Sequence, residues 1–216
     1  MLTPRSPSCT RLVLVRHGEP EDWAMGRCCG RADPALSPVG VAQALDVARG
    51  LASLRVEAIF SSPSQRAVAT AVPCATDLNL PPSLLPDLME IDFGRMEALT
   101  FDEAILCFPN VCRTWVERPW EVSFPAGESC AALRDRVRAA RRHITGQHSG
   151  HVVALFSHGG PIRVMVGDAL GLPSEGIFHI EQRYGGITII DYEMNDRDRG
   201  TVQLHDADPG CWSLSR

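Results

Sequence analysis

The sequence predicts an α/β fold of three layers, an α/β/α sandwich in which helices cover both faces of a largely parallel sheet. Two observations support this prediction. Short apolar runs alternate with segments of helical periodicity, which is the βαβα order of such folds. Two of the apolar runs end in a histidine followed by a glycine, at His17 and His158, and ligands of open α/β sheets bind where the strands end. The length fits one domain over residues 1–216.

The first half of the chain carries the pattern strand, helix, strand, helix. An apolar strand over residues 12–15 precedes a helix over about 37–51, which a Ser-Pro pair opens. A strand over 58–60 leads into a second helix over about 66–75. Prolines interrupt residues 78–125 repeatedly, so we expect a small cap or insertion that lies over the edge of the sheet.

The second half repeats this architecture. A helix over about 129–144 begins with a serine cap and precedes a strongly apolar strand over 151–156 and a helix over about 161–170. The tail over 176–204 is expected to form two or three strands, with a turn at residues 184–186 between the first pair.

Composition excludes several classes of function. No apolar segment is long enough to span a bilayer and the first eleven residues lack the apolar core of a signal peptide, so we expect a cytoplasmic protein without a membrane partner. The net charge of -5 argues against nucleic acid as a partner. All 21 basic residues are arginine, which excludes a Schiff-base lysine or a phosphate-binding lysine. The oligomeric state cannot be derived from this sequence.

The cysteines show no zinc-binding spacing. In a cytoplasmic chain they are expected to be reduced thiols, mostly buried, without a catalytic role. Two of them, Cys28 and Cys29, follow the first histidine motif and lie close to the expected site. The eight cysteines are at positions 9, 28, 29, 74, 107, 112, 130 and 211.

Two histidines and two arginines can form an anion site. His17 and His158 meet in space if their strands are neighbours, and Arg66, at the start of the second helix, reaches the same edge. The guanidinium groups of Arg16 and Arg66 could each donate two parallel hydrogen bonds, a geometry that suits the oxygens of a phosphoryl group. A histidine between them can act as a nucleophile. An isolated Arg-His-Gly is equally compatible with a structural histidine after an ordinary strand.

Six segments then match one family in order and spacing. They are residues 14–19 (LVRHGE), 36–40 (LSPVG), 61–71 (SSPSQRAVATA), 88–94 (LMEIDFG), 125–129 (PAGES) and 157–160 (SHGG). Together they resemble the histidine phosphatase superfamily, in its phosphoglycerate-mutase-like branch, over residues from 12 to about 172. Among the members of that branch, the chain is most similar to α-ribazole phosphatases and broad-specificity phosphatases.

The resemblance implies a role for each matching position. His17 would be the nucleophile that becomes phosphohistidine. Arg16, Arg66 and His158 would hold the phosphoryl oxygens and stabilise charge in the transition state. Glu90 would protonate the departing alcohol and then activate water. By this resemblance neither step would require a metal or a cofactor, and the expected partner is a small phosphorylated metabolite.

Further positions are assigned with less support from motifs. Gly159 and Gly160 would let backbone amides approach the phosphate, and Cys29 and Gly30 border the expected pocket and are assigned to substrate binding. Glu97 is the rival to Glu90 as proton donor.

Departures from the mutases of the family favour hydrolysis. Mutases usually carry Asn in place of Gly160, a Trp-Asn pair in place of Asp22-Trp23, and a substrate-binding lysine that this chain lacks. The chain also has Ala98 where a glycine is usual. A phosphomonoesterase, with α-ribazole phosphate as a possible substrate, is therefore expected. The alternatives are a cofactor-dependent phosphoglycerate mutase and a non-catalytic, phosphate-binding regulatory module.

Two further features are expected to be structural. Glu19 and Glu128 lie in motif positions and are expected to orient loops or pair with arginines. The arginine-rich segment over 134–142 is expected to be a solvated helix face rather than an anion-binding surface.

Overall fold

The computed structural model describes residues 5–193 and 199–210. Its strands are β1 (Thr10–Arg16), β2 (Ala58–Ser61), β3 (Ser83–Leu84), β4 (Val152–Ser157), β5 (Ile187–Tyr192) and β6 (Thr201–Ala207). Its helices are α1 (Pro38–Leu51), α2 (Gln65–Leu78), α3 (Phe101–Cys107), α4 (Pro109–Glu117), α5 (Cys130–Gln147) and α6 (Gly159–Leu170).

The strands form one mixed sheet in the order β3-β2-β4-β1-β5-β6. Strands β1 to β4 pair in parallel, while β5 and β6 add an antiparallel edge. The predicted α/β fold with a largely parallel sheet is confirmed.

Side chains of β1 alternate between two hydrophobic cores, as the two-residue period of a strand requires. Val13 and Val15 face the core that α1 and α2 cover, whereas Leu12 and Leu14 face the core that α5 and α6 cover. All four are buried. Burial of β1 on both faces explains its uninterrupted apolar run.

The register of β1 against β4 creates the functional edge of the sheet. Arg16 at the end of β1 lies opposite Ser157 at the end of β4. His17 and His158 are the next residues of their chains, so both leave the sheet at the same point. Their rings lie 5.1 Å apart between centroids, which confirms that the two strands are neighbours.

The predicted cap is more regular than its prolines suggest. It contains the helices α3 and α4, and buried apolar residues such as Phe93, Met96 and Phe124 join the core beneath α5. Pro109 begins α4 rather than breaking a helix, because the first helical position needs no amide donor.

The tail differs from the prediction. It holds the strands β5 and β6, but residues 174–179 form a 3-10 segment and the turn over 184–186 precedes β5 instead of joining two strands. Residues 194–198 of the predicted tail lie outside the described residues. Ile187, Ile189 and Ile190 in β5 are fully buried core residues.

The prediction of a solvated arginine face on α5 is wrong for Arg136 and Arg141, which are largely buried, whereas the Arg138 side chain is 35% exposed. Arg136 and Arg138 form ion pairs with Glu128 and Asp168. Arg141 is 1% exposed, with its guanidinium carbon 4.9 Å from the centre of the Tyr192 ring. These arginines attach α5 to its neighbours.

Among the described residues, none of the helices combines the length and the apolar character that a membrane crossing requires.

Candidate active site

His17 lies directly after β1 and is held by backbone hydrogen bonds. Its N–H donates to the Ser157 carbonyl at 2.9 Å, and the next N–H, of Gly18, donates to Oγ1 of Thr70 at 2.9 Å. Nδ1 of the imidazole lies 2.8 Å from the Gly18 carbonyl oxygen. A carbonyl only accepts, so Nδ1 carries the proton and the neutral ring has its lone pair on Nε2.

The surroundings of His17 keep the imidazole neutral. The side chain is buried, and the cations Arg16 and Arg66 are close to it. Burial first, and then these two positive charges, lower the pKa of His17 well below its ordinary value. A neutral imidazole with a free lone pair is the form that can act as a nucleophile.

His158 occupies the N-cap position of α6 and is fully buried. Its Nε2 lies 2.9 Å from Oγ of Ser62 and 3.2 Å from Oγ of Ser64. Burial and the nearby Arg66 lower the pKa of His158 well below its ordinary value. Nδ1 is buried without a hydrogen-bond partner among the described residues.

Arg66 is buried and is held from behind by the loop over residues 29–33. Its Nη2 donates to the Cys29 carbonyl at 3.0 Å and its Nη1 to the Ala32 carbonyl at 3.0 Å. The amide of Gly30 is engaged by the Glu97 carboxylate at 3.1 Å. Cys29 and Gly30, which the sequence assigns to substrate binding, therefore contact Arg66 and Glu97 and position the arginine.

Arg16 lies beneath the loop that precedes β5. Its guanidinium carbon is 4.0 Å from the centre of the Tyr184 ring, and its Nη1 donates to the Gln182 carbonyl. Its Nε is buried without a partner among the described residues. Burial lowers the pKa of Arg16 from its ordinary value, but an arginine remains charged at physiological pH. The ring thus fixes a cation beside His17.

Glu90 is placed by the first turn of α6. Its Oε2 accepts from the Gly160 amide at 3.1 Å and its Oε1 from the Ile91 amide at 2.9 Å. A Cβ atom at position 160 would lie 2.2 Å from Oε1 of Glu90, so glycine there leaves room for the carboxylate. The Gly160 amide is occupied by Glu90 rather than open to a phosphate.

Gly159, the neighbouring glycine, lies where the charged groups converge. A Cβ atom there would be 2.9 Å from Nη1 of Arg163, 3.8 Å from Oε2 of Glu90 and 3.9 Å from Nε of Arg16. The structure therefore brings Arg16, His17, Arg66, Glu90 and His158 to one edge of the sheet.

The carboxylates of Glu19, Glu97 and Glu128 bind backbone or side-chain groups of the protein. Glu97, the alternative proton donor, accepts hydrogen bonds from the backbone amides of residues 30, 31, 32 and 93. Both of its carboxylate oxygens are therefore bound to the backbone. Glu19 accepts from the hydroxyl of Ser37, the N-cap of α1. Glu128 accepts two hydrogen bonds from Arg136, at 2.7 and 2.9 Å. The structural interpretation of Glu19 and Glu128 is confirmed.

Sequence reasoning missed Tyr184 and Gln182, and it gave no role to Ser62 or Ser64. The two serines stand in the Ser-Ser-Pro-Ser motif, which could have suggested a partner for His158. Tyr184 and Gln182 belong to a loop whose predicted structure was wrong, and no local pattern connects them with Arg16.

The described cysteines are free thiols. Cys28 and Cys130 are buried, and burial raises the pKa of each to about 12. A thiol that stays protonated is a poor nucleophile, which agrees with the absence of a catalytic assignment. Cys211 lies outside the described residues.

An apolar pocket adjoins Glu90 and Gly160. Its walls come from the cap and from α5 and α6, and it holds about 470 Å³ of empty space with its open mouth included. The pocket lies on the side of Glu90 that faces the cap residues Phe93, Trp115 and Trp120.

The family model of the histidine phosphatase superfamily (branch 1) matches residues 12–204. The chain belongs to this superfamily. The match covers both histidine motifs, Arg16, Arg66 and Glu90. It also includes β5 and most of β6, so it extends beyond the segments that carry the resemblance in the sequence.

Several relatives of this histidine phosphatase have names that state an activity. It is 33% identical over 185 residues to phosphoserine phosphatase 1 of Hydrogenobacter thermophilus, covering 80% of this chain and 88% of that protein. It is 31% identical over 183 residues to a probable phosphoglycerate mutase of Salmonella choleraesuis, covering 85% of each. The crystal structure of the α-ribazole phosphatase from Shigella flexneri superposes with a TM-score of 0.79 at 26% identity, covering 92% and 96% of the two chains. These similarities support phosphatase activity for this chain.

Proposed function

We propose that this protein is a metal-independent phosphomonoester hydrolase that acts through a phosphohistidine intermediate on a small phosphorylated metabolite, with α-ribazole phosphate as one candidate. The observation that carries the proposal is the hydrogen bond from Nδ1 of His17 to the Gly18 carbonyl at 2.8 Å. It leaves the Nε2 lone pair of a neutral imidazole beside two cations and a second histidine.

In the first step, Nε2 of His17 attacks the phosphorus of the ester. The P–N bond forms as the P–O bond to the alcohol breaks, and the electron pair leaves with the alcohol oxygen. Glu90, in its protonated form, gives its proton to that oxygen. Arg16 and Arg66 stabilise the charge on the equatorial phosphoryl oxygens.

His158 contributes a hydrogen bond to the same group. We assign the proton of the neutral ring to Nδ1, with a hydroxyl of Ser62 or Ser64, at 2.9 and 3.2 Å, donating to Nε2. Nδ1 then donates to a phosphoryl oxygen and gains the partner that it otherwise lacks.

In the second step, water clears the phosphoenzyme. The Glu90 carboxylate takes a proton from the water as its oxygen attacks phosphorus, and the P–N bond breaks. The lone pair returns to Nε2, inorganic phosphate leaves, and Glu90 is again protonated for the next cycle.

A panel of phosphorylated metabolites tests the proposal. The panel contains α-ribazole phosphate, sugar phosphates, phosphoglycerates and phosphoserine, each assayed for phosphate release with and without a chelator. We expect release from at least one ester, unaffected by the chelator. His17→Ala should lower it by roughly a thousandfold or more. His143→Ala, an exposed histidine on α5, is the matched control and should keep full activity.

The same panel separates the two alternatives. A mutase would interconvert phosphoglycerates in the presence of a bisphosphoglycerate primer faster than it releases phosphate. A non-catalytic module would bind phosphate without releasing it from any ester. The departures at Gly160 and the missing lysine favour hydrolysis.

A further inference from the structure

We propose that the apolar pocket beside Glu90 binds the leaving group, and that the substrate is a phosphomonoester whose alcohol carries an aromatic or similarly apolar group. This inference rests on the proposed function, because it uses Glu90 as the proton donor.

The position of the pocket relative to Glu90 supports the assignment. The oxygen that leaves phosphorus must contact Glu90, and the carbon atoms attached to it extend into the space that Glu90 borders. Glu90 and Gly160 are among the residues that line the apolar pocket, and a Cβ atom on Gly160 would lie 3.4 Å from Cδ2 of Leu133, which also lines it. A second cavity, more polar, is lined by Arg16, Gln182 and Tyr184 and does not include Glu90 in its wall.

The wall is aromatic and fixed in place. Trp115 contacts the rings of Phe93, Phe101 and Phe124 at centroid distances of 5.6, 6.1 and 5.1 Å. The guanidinium carbon of Arg134 lies over the Trp120 ring, 5.2 Å from the ring centre. Side chains held by such contacts lose little freedom when a ligand enters, so the pocket is preorganised for an apolar group.

The charges around the pocket leave the ammonium group of an amino-acid phosphate without a carboxylate of its own among the described lining residues. Its charged lining residues are Glu90 and Arg163, and Glu90 serves the reaction. Arg163, whose Nε donates to the Ile180 carbonyl at 2.8 Å, would repel an ammonium group. Cys130, also in the wall, is 2% exposed and presents a neutral thiol. Arg163 can pair with the carboxylate of phosphoserine, but among the described lining residues the only carboxylate for its α-amino group is Glu90, which the reaction uses.

The test compares three esters that all leave as primary alkyl alcohols, namely 2-phenylethyl phosphate, ethyl phosphate and phosphoserine. Matching the leaving oxygen removes the large reactivity difference between aryl and alkyl esters. We expect kcat/KM for 2-phenylethyl phosphate to exceed that for ethyl phosphate by about tenfold or more, as burial of a ring predicts. Phosphoserine should not exceed ethyl phosphate.

A substitution in the pocket wall then tests whether the preference for the phenylethyl ester arises in this pocket. Trp120→Ala should lower the ratio of kcat/KM for 2-phenylethyl over ethyl phosphate by about tenfold. Leu106→Ala, a control on the same cap whose side chain is 83% exposed, should leave the ratio unchanged. The wild-type ratio needs no variant and stands even if Trp120→Ala does not fold.

The outcomes distinguish the two proposals. Hydrolysis with no preference for the phenylethyl ester, with phosphoserine as the best substrate, or with an unchanged ratio in a folded Trp120→Ala protein would overturn this inference and leave the phosphatase proposal standing. Failure to hydrolyse any ester in this set or in the metabolite panel would overturn the phosphatase proposal, and this inference with it.

Discussion

The tautomer of His17 determines what this residue can do. Because Nδ1 faces a carbonyl oxygen and burial lowers the pKa, we expect the folded protein to keep a neutral His17 with its proton on Nδ1 as the pH falls through 6.5. Nitrogen-detected NMR of the imidazole in the free protein measures both properties. A ring that protonates at pH 6.5 or above, or that carries its proton on Nε2, would contradict the assignment.

The same pKa shift affects stability. An unfolded chain has a histidine with an ordinary pKa near 6.5, so below that pH it binds a proton that the folded protein excludes. His17 and His158 therefore lower the free energy of unfolding as the pH falls below 6.5, and contribute no such penalty above it. Urea unfolding at pH 7.5 and 5.5 measures this loss, and the loss should be smaller in His158→Gln than in the wild type.

Tyr184 is a positioning residue for Arg16. The ring supports the guanidinium at 4.0 Å, so Tyr184→Leu should lower kcat/KM by about fivefold to tenfold, the size of a partly buried cation–π contact. Tyr184→Phe keeps the ring and should restore most of the activity. The two variants are compared by steady-state kinetics on one ester. Equal losses of kcat/KM in the two variants would show that the Tyr184 hydroxyl, rather than its ring, supports Arg16.

Site residues that belong to a sequence motif could be predicted. Site residues that come close only through the fold could not. His17 and His158 follow apolar runs, so the strand edge that unites them could be derived. Tyr184 approaches Arg16 because β5 is antiparallel to β1, and no spacing in the sequence encodes that pairing. Glu90 lies in the 88–94 motif and Glu97 lies three residues beyond it, so the motif favours Glu90. The amides of residues 30, 31 and 32 that bind the Glu97 carboxylate come from a distant part of the chain, and the sequence does not show them.

At the scale of elements, helix caps explain the successes and prolines the failures. Ser37 and Ser129 each accept a backbone amide at the start of α1 and α5, as their positions predict. The helices α3 and α4 have only 7 and 9 residues. Too few turns repeat for a helical period to be evident, and Pro109 resembles a breaker although it begins a helix.

Ala98 lies in a strained turn between the cap and Cys28. Its φ angle is 63°, in the left-handed region where a Cβ atom costs roughly 1–2 kcal/mol. Ala98→Gly should therefore raise the free energy of unfolding by about 0.5–1 kcal/mol, after the greater entropy of unfolded glycine is subtracted. Chemical denaturation measures the change.

The matched control is Ala139→Gly, an exposed position inside α5. There glycine should lower the free energy of unfolding by about 1 kcal/mol. A loss of stability at both positions would show that the φ angle of Ala98 is not a source of strain.

At the scale of the whole molecule, a buried ion pair joins the antiparallel edge to the parallel part of the sheet. Arg11 on β1 donates from Nε and Nη2 to the two carboxylate oxygens of Asp191 on β5, each at 2.7 Å. Asp191→Ala should lower the free energy of unfolding by roughly 3 kcal/mol, because a buried cation loses its counter-ion.

Removing a surface pair provides the control for that variant. Asp46 pairs with Arg49, whose side chain is 72% exposed, and Asp46→Ala should change the free energy of unfolding by less than about 1 kcal/mol. Similar losses of stability in both variants would show that burial does not make the Arg11–Asp191 pair more important than a surface pair.

The layered α/β fold itself could be predicted from its apolar runs. The strand order at the antiparallel edge could not, because an antiparallel strand needs no helical crossover that would be visible in the sequence.

We expect His17 to carry the phosphoryl group during turnover, so the group can be trapped on the protein and located. The protein is mixed with a radiolabelled phosphomonoester that it hydrolyses, quenched within one turnover in alkali, and mapped by peptide. We predict an acid-labile, alkali-stable phosphoryl group on the peptide that contains His17, and none in His17→Ala. Turnover with the label on another residue, or with no covalent label at all, would contradict the claim.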